Sequence, residues 1–207
     1  MTTVILKCET LVRLSGVCSF FEPTTPFEVL EKINCVRLEN KNGHSFAVST
    51  NQKIAAIEYL GKTEAADGVI HVKIVPEIIE SLKKEIAFDS VVNITTIPEI
   101  KVSSMQTAFG YSAADCCYWF EDTPMNNWRE WISENAEESR QPMYWNLFYV
   151  LSLIQASPTG KIVFPEFIDA SRPVTLKDVS TDNWVGLFIP EDVKIKDEAK
   201  IPTWWNL

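Results

Sequence analysis

Three groups of residues in this chain of 207 amino acids could do chemistry, and each has to be weighed in its local setting. The first is Ala56-Ile-Glu-Tyr-Leu-Gly61-Lys62-Thr63, the loose form of a phosphate-binding loop. Such a loop needs backbone N–H groups converging from a glycine-permitted turn, then a helix whose N-terminus faces the anion. Here the loop positions are Ile57, Glu58, Tyr59 and Leu60, which suit a strand, and Glu64-Ala-Ala-Asp-Gly68 leaves room for at most one helical turn. The context predicts no nucleotide site.

The second group is the two histidines. His44 sits beside a turn signal and His71 lies within a strand pattern. Neither has a carboxylate or cysteine at metal-ligand spacing. No glycine-flanked nucleophile turn is present, although a Ser/His/Asp set assembled from distant positions stays open. The reading assigns no catalytic residue, no metal and no cofactor. The third group is Cys8, Cys18, Cys35, Cys116 and Cys117, odd in number and without CxxC spacing. That fits buried thiols in a reducing compartment. In a strand, the vicinal Cys116-Cys117 would place one thiol on each sheet face and not form a redox pair.

The elements that must hold these residues are well marked. A hydrophobic fraction of 46%, with seven Trp and eleven Phe, is ample for a packed core. The formal charge of −9 argues against nonspecific nucleic-acid binding by the whole surface but leaves room for a local basic strip. The apolar run in Met1–Lys7 is too short for a signal peptide, and no window approaches a membrane span. The expectation is a soluble, cytoplasmic protein.

Thr3–Cys8 reads as a strand, followed by a short stripe of Leu11, Leu14, Val17 and Cys18 flanked by Arg13. Thr25-Pro-Phe-Glu28 has capping-box form and opens a short helix ending near Ile33. Cys35–Glu39, Ser45–Ser49 and Lys53–Leu60 are strands joined by an Asn42-Gly43 turn and an Asn51-Gln52 turn. Asp67-Gly68 leads into another strand, Val69–Ile74. Pro76 then starts a helix with Val75, Ile78, Ile79, Leu82 and Ile86 on one face. Ser90–Ile97 and Glu99–Met105 return to strand chemistry. The first half thus makes two passes of strand, helix, strands, a repeat of architecture and not of letters.

Beyond Gly110 the pattern predicts a strand over 111–120 and a helix over 124–138. The helix packs Trp128, Trp131, Ile132 and Ala136 inward and carries Glu130, Glu134, Glu137 and Glu138 outward. An apolar helix follows over 143–156, either central in the core or covered by a partner. Lys161–Phe164, Arg172–Leu176 and Trp184–Pro190 are further strands. Residues 191–200 form a charged linker before Ile201-Pro-Thr-Trp-Trp-Asn-Leu207. Trp204, Trp205 and Leu207 are either a peptide anchor for a partner or packed back on the core.

In this order the elements resemble the DNA sliding-clamp family. Pro23–Glu39 looks like the clamp segment after the first helix, and Phe46–Ile57 like the clamp hairpin with its return strand. Gly68–Leu82 is similar to the start of a clamp domain's second half, and Ile189-Pro190 stands where clamps often carry Met-Pro. The resemblance implies an α+β fold of clamp-like repeats, with helices packed on one face of antiparallel sheets. It divides the chain into a clamp-like domain over 1–120, a partial second one over 121–190 with an added acidic helix, and the linker and tail of 191–207. It implies a non-enzymatic DNA-replication processivity or recruitment factor, a homo-oligomer around duplex DNA that binds a polymerase or another protein. Arg13, Lys83 and Lys84 would face DNA, and Phe188, Ile189 and Pro190 would join the tail in partner binding. The alternative is a clamp-derived interaction module, of phage or mobile-element origin, that never encircles DNA.

Overall fold

The computed structural model describes residues 1–18, 29, 32–131, 146–163 and 173–188. Two antiparallel sheets carry the fold. The first has four strands in the order β1 (Thr2–Lys7), β6 (Val91–Ile97), β7 (Val102–Thr107) and β8 (Ser112–Ala114). The second has eight, in the order β10 (Ile162–Val163), β11 (Val174–Asp178), β12 (Trp184–Phe188), β4 (Ile54–Lys62), β3 (His44–Thr50), β2 (Cys35–Lys41), β5 (Gly68–Lys73) and β9 (Cys117–Tyr118). Among the described residues, three α-helices are seen from end to end: α1 (Cys8–Cys18), α2 (Pro76–Ile86) and α3 (Leu147–Ala156). This is an α+β fold.

Local chemistry explains most of these elements. Asn42 and Gly43 have φ of 53° and 76°, the paired positive values of the tight turn that matches strand twist, so β2 and β3 form the expected hairpin. Pro76 takes the first turn of α2 after the extended Val75, where its missing N–H costs nothing. Glu77 in the first turn and Lys83 and Lys84 in the last complement the helix dipole. The chain alternates across the large sheet. Val36, Leu38, Ile54, Ala56, Ile70 and Val72 enter the main core with Leu11, Leu14, Val17, Ile78 and Leu82 of the helices. Cys35, Val48, Ala55, Ile57 and Leu187 form a smaller cluster on the opposite face with Met125 and Trp128.

The two chain halves share the large sheet. β12 lies antiparallel to β4, with Trp184 opposite Glu58 and Phe188 opposite Ile54. Hydrogen bonding therefore runs across the boundary expected at residue 120. Small residues make this seam close: Gly186 pairs with Ala56 and Leu187 with Ala55. The Trp184 ring folds over Gly186, where an added Cβ would meet its Cη2 at 2.6 Å.

Several expectations need correction. Residues 111–120 are not one strand. β8 ends at Ala114, Asp115 takes a left-handed φ of 49°, and β9 joins the other sheet. Cys116 lies in that bend, outside strand alternation. Both thiols therefore enter the same core, their Sγ atoms 3.7 Å apart, instead of occupying opposite faces. The segment at 124–138 begins as a 3-10 turn over Pro124–Trp131, kinked at Asn127, and 132–145 lie outside the described residues. α3 starts at Leu147, four residues later than expected, because the Asn146 side chain caps it by accepting from the Phe148 N–H at 3.1 Å. Of the helix expected to end near Ile33, only Val29, Lys32 and Ile33 are described, all helical.

A buried polar knot fastens the 3-10 segment to the outer sheet face. The Glu39 carboxylate accepts from Arg37 Nε and Nη2, Trp128 Nε1 and Arg129 Nη1 at 2.7–3.2 Å. Burial alone would raise its pKa, but the donors Trp128 and Arg129 and the charge of Arg37 hold it below the usual carboxylate value. Arg37 Nη1 donates to Asn126 Oδ1 at 2.8 Å and lies 3.4 Å from His71 Nε2. Burial and the neighbouring guanidinium push His71 from 6.5 down to about 4.

Two outcomes follow from this packing. Gly186→Val should force the Trp184 ring out of place, costing about 1–3 kcal/mol and lowering the melting temperature by roughly 5 °C in calorimetry. His71 stays neutral in the folded protein while the unfolded chain takes up a proton below about pH 6.5. Its contribution is full above that value and lost as pH falls towards 4, a loss of about 3 kcal/mol. Urea titrations at pH 7 and pH 4.5 should show this decline in the wild type and a flatter dependence in His71→Leu.

Candidate docking site

The β3–β4 turn is held rigid by its own side chains. Thr50 Oγ1 donates to the Ile54 carbonyl at 2.7 Å and accepts from the Gln52 N–H at 3.0 Å. Asn51 Oδ1 accepts from the N–H groups of Lys53 and Ile54, both at 3.0 Å. This turn is one wall of a cleft at the end of the β4–β12 seam. Leu187 and Pro173 come from the other side, Pro124 from the kinked segment, and Ile54 and Ala55 lie beneath. Its volume is about 290 Å³. Among the described residues, the lining is Thr50, Gln52, Ile54, Ala55, Pro124, Pro173 and Leu187, and none of these titrates. The cleft is suited to an apolar side chain with backbone-type hydrogen bonds at its rim, and not to acid–base chemistry.

The residues expected to contact a partner fall beside this cleft or outside the described residues. Phe188 is fully buried, with its ring centroid 6.3 Å from that of Tyr149 on α3. Its ring is used in packing β12 against α3. Its neighbour Leu187, on the opposite face of β12, is the one that lines the cleft. Ile189, Pro190, Trp204, Trp205 and Leu207 lie outside the described residues. The Thr50-Asn51-Gln52 turn was legible in the sequence as a hairpin, but Pro124 and Pro173 carried no signal of their own.

The expected DNA-facing cations sit differently from one another. Arg13 points inward. Its Nη2 pairs with Glu58 Oε2 at 2.9 Å, its Nη1 donates to the Ala156 carbonyl, and its side chain is only 13% exposed. It ties α1 to β4 and α3, so its charge is already compensated. Lys83 is exposed and pairs with Glu80 at 2.7 Å, and Lys84 is exposed on the same helix. α3 carries no basic residue, and Leu147, Phe148 and Leu151 are exposed along it.

The candidate catalytic residues are dispersed over separate elements. Gly61 and Lys62 end β4, without a following helix. His44 Nδ1 is 2.9 Å from Tyr59 Oη, and His71 belongs to the polar knot. Among the described residues, no group of three or more His, Cys, Asp or Glu converges to hold a metal ion.

No protein-family model and no curated protein matches the sequence. Solved structures do match the fold. The DNA polymerase III beta subunit of Thermotoga maritima superposes with a TM-score of 0.64 at 10% identity, covering 93% of this chain and 66% of its own. The sliding clamp of Pseudomonas aeruginosa, solved with a ligand, gives 0.68 at 11% identity, covering 93% and 66%. The beta subunit of Borrelia burgdorferi, in complex with a natural product, gives 0.68 at 14% identity, covering 92% and 63%. The chain spans about two thirds of the length of these proteins. Its fold is that of the DNA polymerase sliding clamps, at a sequence distance where only the fold is shared.

Proposed function

We propose that this chain is a non-enzymatic, sliding-clamp-like recruitment protein that docks a short apolar segment of a polymerase or another replication partner in the cleft at the β4–β12 seam. The observation that carries the reading is the cleft itself. Its described lining is apolar and carries no ionisable group, with one wall from the rigid β3–β4 turn and the other from the closing strands. Small apolar concavities of this kind take an anchoring side chain, and the surrounding polar groups fix its orientation. The tail residues Trp204, Trp205 and Leu207 are retained in this proposal as a second partner contact, as are Ile189 and Pro190 beyond β12.

A second reading keeps the homo-oligomeric ring around duplex DNA, and the fold likeness supports it. It needs sheet edges such as β8, β9 and β10 to pair between subunits. It also needs a basic inner surface. The helix charges favour the first reading instead, since Arg13 and Lys83 are paired with Glu58 and Glu80 and α3 has no cation. The proposed setting is cytoplasmic.

Fluorescence anisotropy with labelled octapeptides rich in leucine and phenylalanine tests the docking. Gln52→Trp and Pro173→Glu change the rim and should weaken binding at least about tenfold, or about 1.4 kcal/mol, with little change in melting temperature. Unaltered affinity in both variants would contradict the site. For the second reading, duplex DNA titrated at low salt should show weak affinity with a shallow salt slope. A steep slope shared with a closed oligomer in sedimentation would favour encirclement.

A further inference from the structure

Cys116 and Cys117 sit where the chain crosses from one sheet to the other. The crossing is pinned from three sides. The Asp115 N–H donates to the Ser103 carbonyl at 3.0 Å, the Cys117 N–H to Ser103 Oγ at 3.2 Å, and the Lys73 N–H to the Cys116 carbonyl at 2.9 Å. This geometry turns both side chains to one side, with their sulfurs 3.7 Å apart. Closing that gap to a covalent bond of about 2.05 Å needs side-chain rotation and distortion of the intervening peptide, which strains the ring that forms.

We propose that Cys116 and Cys117 are a peroxide-reactive dithiol that closes to a vicinal disulfide. The two sulfurs have unequal roles. The Cys117 hydrogen bond, helped by Ser103 and the charge of Lys73, outweighs burial and lowers Cys116 to about 7, which gives it thiolate character near neutral pH. Cys117 is pushed up by its neighbour and by burial and keeps its proton. Cys18, by contrast, is raised by burial to about 12, and burial also raises Cys8 and Cys35.

The chemistry balances in two steps. The Cys116 thiolate attacks one peroxide oxygen, the O–O bond breaks, and the departing hydroxide takes a proton and leaves as water, giving the sulfenic acid. Cys117 Sγ then attacks that sulfur. The S–O bond breaks, and the displaced hydroxide takes the Cys117 proton and leaves as a second water. Two thiols and one peroxide become one disulfide and two waters. Each cysteine is only 1% exposed, which selects a small oxidant over a bulky disulfide such as oxidised glutathione. Consecutive Cα atoms lie about 3.8 Å apart, closer than in most disulfides, so the ring is strained and easily reduced again. Because Cys116 O and Cys117 N–H hold β9 to β5 and β7, oxidation would act on that crossing.

Native protein treated with hydrogen peroxide, then denatured and alkylated, tests this by intact mass and peptide mapping. The expected result is a loss of about 2 Da confined to a Cys116–Cys117 peptide, with Cys8, Cys18 and Cys35 alkylated in full. Cys117→Ser should stop at a dimedone-trapped sulfenic acid on Cys116, about 16 Da heavier before trapping, and Cys116→Ser should stay reduced. All five thiols alkylated in wild type under peroxide that oxidises a free cysteine peptide would overturn the proposal. So would a bond to another cysteine, or Cys116→Ser reacting as fast as wild type. The wild-type peptide map decides even if a variant folds poorly.

Discussion

The pairing of Trp184–Phe188 with Ile54–Glu58 is the constraint on which the rest depends. It joins strands about 130 residues apart into one continuous sheet, and closing so long a loop is entropically opposed until the contacts reward it. The reward comes from both faces of β12 at once. Trp184 and Phe188 enter the main core, and Leu187 and Val185 join the outer cluster. Small residues at the seam, Ala55, Ala56 and Gly186, leave room for the strands and the Trp184 ring to come together. Once this pairing is set, α3 has to lie beside α1 on the inner face, and the β3–β4 turn has to stand opposite Pro173 and Leu187.

The two faces of the sheet then take different work. The inner face is closed by helices and by the inward-turned Arg13, whose partners lie on β4 and α3. The charge of Arg13 is used to hold α1 to β4 and α3. The outer face carries the kinked 3-10 segment, fastened through Glu39, Arg37, Trp128 and Arg129. Fixing that segment also fixes Pro124 at the cleft rim. The polar knot and the cleft are thus linked, one holding the segment that places Pro124 at the other's rim.

Much of the fold was legible because its signals are local. Asn42-Gly43 specified a hairpin, Pro76 with its apolar stripe specified α2, and alternation specified β2 to β7. What stayed hidden depends on distant partners. Nothing near Arg13 reveals that Glu58 will neutralise it, so it read as a free cation. Phe188 read as a contact residue because burial depends on α3, whose Tyr149 lies 39 positions earlier in the chain. The run from 111 to 120 looked like one strand because its composition suits one. A single left-handed residue, Asp115, divides it between two sheets. The cleft was least legible of all, since its described lining comes from four separate places in the chain and comes together only after the seam closes.

Hydrogen–deuterium exchange across the seam tests the central claim most directly. If the β4–β12 pairing builds the cleft, amides of 54–58 and 184–188 should be protected to the same degree and lose protection together under mild denaturant. Independent exchange, with 184–188 opening while 54–58 stays closed, would show two separate units and no shared cleft.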